Sequence, residues 1–347
     1  MPSTRELLDR VERRCHSDLT AKRLREVVLD EVRRTIAFDG HVFALTDPVT
    51  RVATSPLADV PGLQWPRLPE LIRLRYLTRI NRWPDLLDAG AGASSLLRST
   101  GGDPARSLMW NDGQRELGVV DSATLAFGDR HGCWGFLELL RTSSPPFTTA
   151  ELAALSALAG TVTLGLRRAL GRTFVAPADQ LPRVGPAVVI LGPDLHVRTQ
   201  TEAAALALLR LNPPDEPMPP IPASAYNVGA ALIAAEHDLP VGPAWSRINL
   251  GGSRWVTVKA DRIGGDIAVS IEPSTPEERM DLFARAHALS ARESEVLALL
   301  AAGFDSRRMA AELVLSEHTV NDHVKAILAK CAAPTRQTLL SRVLGIA

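Results

Sequence analysis

Apolar and polar positions along this chain follow two periods, one helical and one strand-like, that succeed each other in a repeating order. From about residue 4 to 36, Leu7, Leu8 and Val11, then Leu24, Val27, Val28 and Val32, recur at three- and four-residue spacing among charged positions, which predicts amphipathic helices. Strands are predicted at 41–46 and 49–54 across the turn dipeptide Asp47-Pro48, helices at 68–79 and 104–117, and longer strands at 119–127 and 133–141 across the loop 128–132. A helix over 149–170, burying Leu152, Leu155, Ala159, Val162 and Leu166, closes this half. A linker rich in Pro and Ala, 177–186, marks a boundary. Beyond it come a strand at 187–191, a turn at 192–194, a short second strand, a helix at 202–209, a proline-rich loop at 213–222 and a helix at 223–236. Strands at 244–250, 254–260 and 267–272 complete this region, the last with Ile267, Val269 and Ile271 alternating with Ala268 and Ser270. A helix over 277–287 leads into the C-terminal part.

The stretch 289–344 has the spacing of a helix-turn-helix and carries its own punctuation. Ser290 and Glu293 form a capping box, Val296, Leu297 and Leu300 recur at helical spacing, and Gly303 stops the helix. A supporting helix over 306–313 buries Met309, Ala310 and Leu313, with Arg307 and Arg308 at its start. After Val314 and Leu315, Ser316 caps a third helix running to about 331, on which Val320, Val324, Ile327, Leu328 and Cys331 share one apolar stripe. The opposite face carries His318, Asp322, Lys325 and Ala329, flanked by Asn321 on one side and Thr319 and Lys330 on the other. These side chains are short or polar, as entry into a major groove requires. The candidate DNA contacts are therefore His318, Thr319, Asn321, Asp322, Lys325, Lys330, Arg307 and Arg308. Pro334 ends the third helix, and 335–344 supply a fourth.

With "L-S-x-R-E-x-E-V-L-x-L-L-A-x-G" and "L-S-x-x-T-V-x-x-H-V-x-x-I" in order, this segment resembles the DNA-binding domain of the LuxR/NarL class of bacterial transcription regulators. The resemblance implies that Thr319 contacts a phosphate, that Asn321, Asp322 and Lys325 face base edges, and that the fourth helix pairs two subunits. Two residues depart from it. Asp322 places a carboxylate where an apolar or basic residue is common, and Cys331 replaces a bulkier apolar side chain. A carboxylate there repels phosphate but accepts from cytosine N4. The alternative is a signalling adaptor whose last domain makes protein contacts and no longer reads DNA.

The earlier element order describes antiparallel sheets with helices beside them. The first half resembles a GAF sensor domain of the actinobacterial type, with "NRWPDLL" and "GCWGFLELLR", and "VVILGPDLHVRTQTEAAALALL" is similar to the opening of a PAS domain. The fold expected is multidomain α+β: a GAF-like domain at 1–172, a linker at 173–186, a PAS-like domain at 187–273, a linker helix at 274–288 and an all-α four-helix domain at 289–347.

At 347 residues, two or three domains are expected, and 46% hydrophobic composition is ample for packed cores. The 39 basic and 39 acidic side chains cancel. From Phe283 onward eight Lys and Arg face six Asp and Glu, so one copy should bind DNA weakly and a homodimer on an inverted repeat is expected. A small-molecule effector and RNA polymerase are the further partners that the resemblance suggests. Cys15, Cys133 and Cys331 are far apart and suit reduced thiols. The charged start and the lack of 18 uninterrupted apolar residues point to a cytoplasmic chain with no membrane partner.

Other candidate chemistry is sparse. His131 and Cys133 stand two apart without a supporting ligand cluster, so a turn and a core cysteine are favoured over a metal. His318 and His323 lie about 140° apart around a helix and share no metal face. Trp65, Trp83, Trp110 and Trp134 serve either core packing or an aromatic ligand wall. No nucleophile elbow, phosphate loop, zinc-protease helix or dinucleotide fingerprint occurs, so neither catalysis nor a cofactor is expected.

Overall fold

The computed structural model describes residues 4–143, 145–175, 185–211 and 221–345. Most of the Pro/Ala linker and of the proline-rich loop expected at 213–222 lie outside the described residues. Helices α1 (Thr4–Cys15) and α2 (Ala21–Arg33) precede strands β1 (Gly40–Thr46) and β2 (Ala53–Asp59). Then come α3 (Leu68–Leu77), α4 (Trp83–Asp88), the two-residue β3 (Ser94–Ser95), α5 (Leu96–Thr100), β4 (Asp121–Asp129) and β5 (Gly132–Arg141). Helices α6 (Thr149–Ala157) and α7 (Ala159–Thr173) follow, with a break at Leu158. The second region runs β6 (Ala187–Leu191), β7 (Val197–Gln200), α8 (Glu202–Leu211), α9 (Ala223–Glu236), β8 (Trp245–Asn249), β9 (Trp255–Ile263) and β10 (Asp266–Pro273). The chain ends in five helices: α10 (Pro276–Ala286), α11 (Ala291–Ala301), α12 (Ser306–Leu313), α13 (Glu317–Lys330) and α14 (Arg336–Leu344). The molecule is thus mixed α+β, with two five-stranded antiparallel sheets and a helical C-terminal region.

Both sheets have the same strand order, second-first-fifth-fourth-third: β2-β1-β5-β4-β3 and β7-β6-β10-β9-β8. In the first, Phe43, Leu125, Phe127, Leu137 and Leu139 share one face by register. Helix α7 covers this face closely: a Cβ on Gly135 would stand 3.5 Å from Leu166, and one on Gly165 would meet Cys15 and Leu24. The stretch through α6 and α7 is long and apolar enough to cross a bilayer by length and composition. Its apolar character has a local cause, since Leu152, Leu155, Leu158, Val162 and Leu166 are all buried. The other sheet face carries Thr124, Phe136 and Glu138 beneath α3 and α4, with Trp83 stacked on Phe136 at 4.5 Å.

In the second sheet, Ile267, Val269 and Ile271 are buried as their alternation predicts, opposite Leu191, Val189 and Ala187. Helix α9 is buried almost all round, which matches its unbroken apolar and small composition. Beside it a buried ion pair joins the two sheet regions: Arg247 donates through Nε (2.7 Å) and its backbone N (3.0 Å) to Asp47 Oδ2.

Three expectations shift. Strand β2 starts at Ala53 rather than 49, because Asp47 Oδ1 accepts from Val49 N and Thr50 N and Arg51 takes φ +62°, which makes 47–51 a wide turn. The helix expected at 104–117 is a 3-10 turn (Pro104–Arg106) and a π-helical turn (Trp110–Gln114). This geometry lets Trp110 Nε1 donate to Val119 O and Gln114 Nε2 to Glu138 Oε1. Helices α4 and α5 and strand β3 were absent from the periodicity, each being too short to repeat.

By chain contacts the described residues up to Ala169, those from 185 to Ile248 and Thr257–Glu272 form one compact unit. Residues 170–175, Asn249–Val256 and 273–345 form a second.

Candidate nucleic-acid interface

The C-terminal helices are fixed at their ends by side chains the sequence places there. Thr275 with Glu278 and Ser290 with Glu293 complete capping boxes on α10 and α11, while Asp305, Ser316 and Thr335 cap α12, α13 and α14. Arginines finish the other ends. Arg292 Nη2 donates to Leu313 O at the end of α12, and Arg342 Nη1 donates to Cys331 O and Ala332 O at the end of α13. Inside, Val296, Leu297, Leu300, Met309, Val320, Val324, Ile327, Cys331, Leu339 and Val343 make one core. Helix α13 is thereby held by its apolar stripe, and its opposite face is left outward.

On that face His318 and Lys325 are 85% and 74% exposed, and both reach Asp322. Lys325 Nζ lies 3.1 Å from Oδ1 and His318 Nε2 lies 3.3 Å from Oδ2. The Lys325 hydrogen bond, with the fields of His318, Lys325 and His323, holds the Asp322 carboxyl below its usual range. Asp322 is therefore an ionised acceptor at neutral pH. Thr319 is half-buried, its hydroxyl 2.9 Å from Ser316 Oγ. Arg307 and Arg308 are exposed on α12, and the Arg308 guanidinium lies 3.7 Å from the centroid of the Phe304 ring.

Two expected contacts sit in other surroundings. Lys330 Nζ donates to Glu293 Oε2 at 2.6 Å, tying the end of α13 to the capping box of α11. Asn321 is half-buried, and its Oδ1 accepts from Ser306 Oγ and from Arg336 Nη2, both at 2.8 Å. Local sequence does not signal Ser306 or Arg336, because 15 residues separate each from Asn321 and only the packing of α12 and α14 beside α13 brings them together.

The first sheet region holds a second polar cluster. Arg75 and Glu138 approach within 3.4 Å while largely buried, Arg75 Nη2 donates to Thr124 Oγ1 and Gln114 Nε2 to Glu138 Oε1. Trp83, Trp134 and Trp110 each place the indole N–H on an oxygen, whereas Trp65 is 54% exposed. Thr50, Tyr76, Arg82, Trp83 and Val241 line a narrow crevice with only about 10 Å³ of accessible space. Cys133 is buried, and burial pushes its thiol up from its usual range. Among the described residues no three His, Cys, Asp or Glu side chains gather as a metal would need.

A search of curated proteins finds no match. Two solved structures, Escherichia coli SdiA in space group P6522 and SdiA in complex with octanoyl-rac-glycerol, align over 99% of this chain and 97% and 96% of theirs. Identities are 15% and 14%, and TM-scores of 0.33 and 0.29 are too low to establish a shared architecture. The family model of bacterial regulatory proteins, luxR family, matches residues 287–343, the span of α11 to α14. With its capped helices, its core and the outward face of α13, this segment is a LuxR-family helix-turn-helix domain.

Proposed function

We propose that this chain is a one-component transcription regulator that binds double-stranded DNA as a homodimer, with α13 in the major groove and its activity set by a small effector at the sheet regions. The observation that carries the reading is the outward face of α13: polar, without bulky apolar residues, and carried by a segment that matches the LuxR family. Thr319 serves as a phosphate contact, Asn321, Asp322 and Lys325 as base contacts, and His318, Arg307 and Arg308 as flanking contacts. The near-neutral charge of the domain leaves one copy little phosphate attraction, which supports a pair of copies on an inverted repeat. The shared strand order of the two sheets supports reading them as sensor modules, GAF-like and PAS-like, and the buried Arg75–Glu138 cluster beneath Trp83 is polar machinery of the kind an effector site uses. An effector that binds one arrangement better shifts the population toward it.

Fluorescence anisotropy of the full chain on fragments of the source genome tests the reading. A preferred fragment is expected, and Lys325→Ala should weaken its binding by about 1–3 kcal/mol. Binding without sequence preference, unchanged in Lys325→Ala, would favour the adaptor. Sedimentation showing only monomer with and without DNA would remove the dimer.

A further inference from the structure

Asn321 stands on the flank of the outward face of α13, and its amide is not free to turn. Ser306, the first residue of α12, donates from Oγ to Asn321 Oδ1 at 2.8 Å. Arg336, the first residue of α14, donates from Nη2 to the same oxygen at 2.8 Å and to Ser306 Oγ at 3.2 Å. A guanidinium has donors and no acceptor, so the amide atom facing it must be the oxygen. Flipping the amide would set its NH2 against those N–H groups and break a charge-assisted bond. The Nδ2 of the same planar group therefore faces away from the clamp, and it has no partner among the described residues. It offers two N–H donors. Both oxygens of its neighbour Asp322 are engaged by His318 and Lys325.

This arrangement bears on which base the residue reads, given the DNA-binding reading above. An unconstrained asparagine recognises adenine by donating to N7 while accepting from the N6 amino group. Here the accepting half is already occupied. We infer that Asn321 is a donor-only specificity residue, which selects a base presenting an acceptor to the major groove, guanine O6 or N7, thymine O4 or adenine N7, over cytosine, which presents only its N4 amino group, and which leaves the adenine N6 amino group unread. Arg336 and Ser306 act through it as positioning residues.

Selection of bound sequences from a random duplex library by the full chain, with Asn321→Ala beside it, locates the base pair whose preference depends on Asn321. Base analogues lacking the major-groove acceptors of the selected base should weaken binding about fivefold to tenfold, the lower end for one lost base contact, and analogues lacking the amino group should bind as well as the natural base. Asn321→Asp keeps the shape and the bond to Arg336 while turning the outward atom into an acceptor. Its selected sequence should admit cytosine at that position. Arg336→Met combined with Ser306→Ala, which together release the oxygen, should shift the preference at the same position toward adenine, read through N7 and N6 together, with unchanged thermal melting as the check on folding. Dependence on the amino group, an Asn321→Asp selection identical to the unmodified one, or an equal loss on all sequences in Asn321→Ala would each overturn the inference while leaving DNA binding intact. If the unmodified chain enriches no sequence at all, the DNA-binding reading falls and this inference with it.

Discussion

Val314 shows how one residue bears the strain of a turn. It takes φ +54° and ψ +50°, the left-handed region, and its side chain is 90% exposed. The conformation closes α12 with a Schellman ending, in which Leu315 N donates to Ala310 O at 2.9 Å and Val314 N to Ala311 O. A β-branched residue pays steeply in this region and gains nothing back by packing. Val314→Gly should therefore stabilise the C-terminal unit by about 0.5–1 kcal/mol in urea denaturation, the relief of steric strain exceeding the added freedom of the unfolded chain. Val314→Asn should give the same sign. A loss of stability in both variants would show that the strain is not there to be relieved. The sequence pointed to a tight connection at Val314-Leu315, but not to left-handed backbone, because nothing in a valine signals it.

Among the elements, α11 is held in part by charge. Burial pushes the Glu293 carboxyl up, but the Lys330 hydrogen bond and the Ser290 N–H outweigh it and hold the group below its usual value of 4.5. A depressed folded-state value means that this stabilisation is complete above about pH 4.5 and is lost as pH falls through the folded value. Glu293→Gln should lower stability at pH 7 and flatten the acid limb of the pH–stability curve, as urea titrations across that limb would show. An acid limb as steep as in the unmodified chain would locate the titration elsewhere. Ser290→Ala, which removes the other half of the box, should cost about 1 kcal/mol at pH 7 and less at acid pH, because its hydroxyl also helps to hold the Glu293 carboxyl down. These caps are why the C-terminal helices were legible: Ser290, Ser316 and Pro334 mark their ends by local chemistry that needs no tertiary partner. The sheet region was legible where a strand alternates, as at Ile267, Val269 and Ile271. It was misread where a side chain overrides the pattern, as Asp47 does in holding Val49 and Thr50 in a turn. The site followed the same division. The outward face of α13 could be read from helical phase, whereas the clamp on Asn321 and the Lys330–Glu293 pair depend on distant helices meeting.

At the scale of the whole molecule, the segment that matches the LuxR family, 287–343, does not contain all of the core it belongs to. Phe174, from just past the end of α7, stacks on Trp255 of β9 at 5.6 Å and meets Phe283 of α10 edge-on at 5.2 Å. Arg279 lies over Phe174 and donates to Val343 O (3.1 Å), Arg342 O (3.0 Å) and Ser253 O, so one buried cation joins α10, the end of α14 and the loop before β9. All of these residues fall in the C-terminal compact unit. Stability of the C-terminal helices is thus drawn in part from chain that precedes them by more than a hundred residues. Phe174→Ala, at a position only 2% exposed, removes a ring with partners on two sides and should cost about 3–5 kcal/mol. The loss should appear as faster hydrogen exchange at amides of α10 and α14, with amides of the first sheet unchanged. A polypeptide beginning at residue 273 lacks both Phe174 and Trp255 and should melt below the same helices in the full chain. If α10 and α14 exchange at the same rate in Phe174→Ala as in the unmodified protein, the aromatic cluster contributes nothing to holding the helix-turn-helix, and the C-terminal core ends at Phe283.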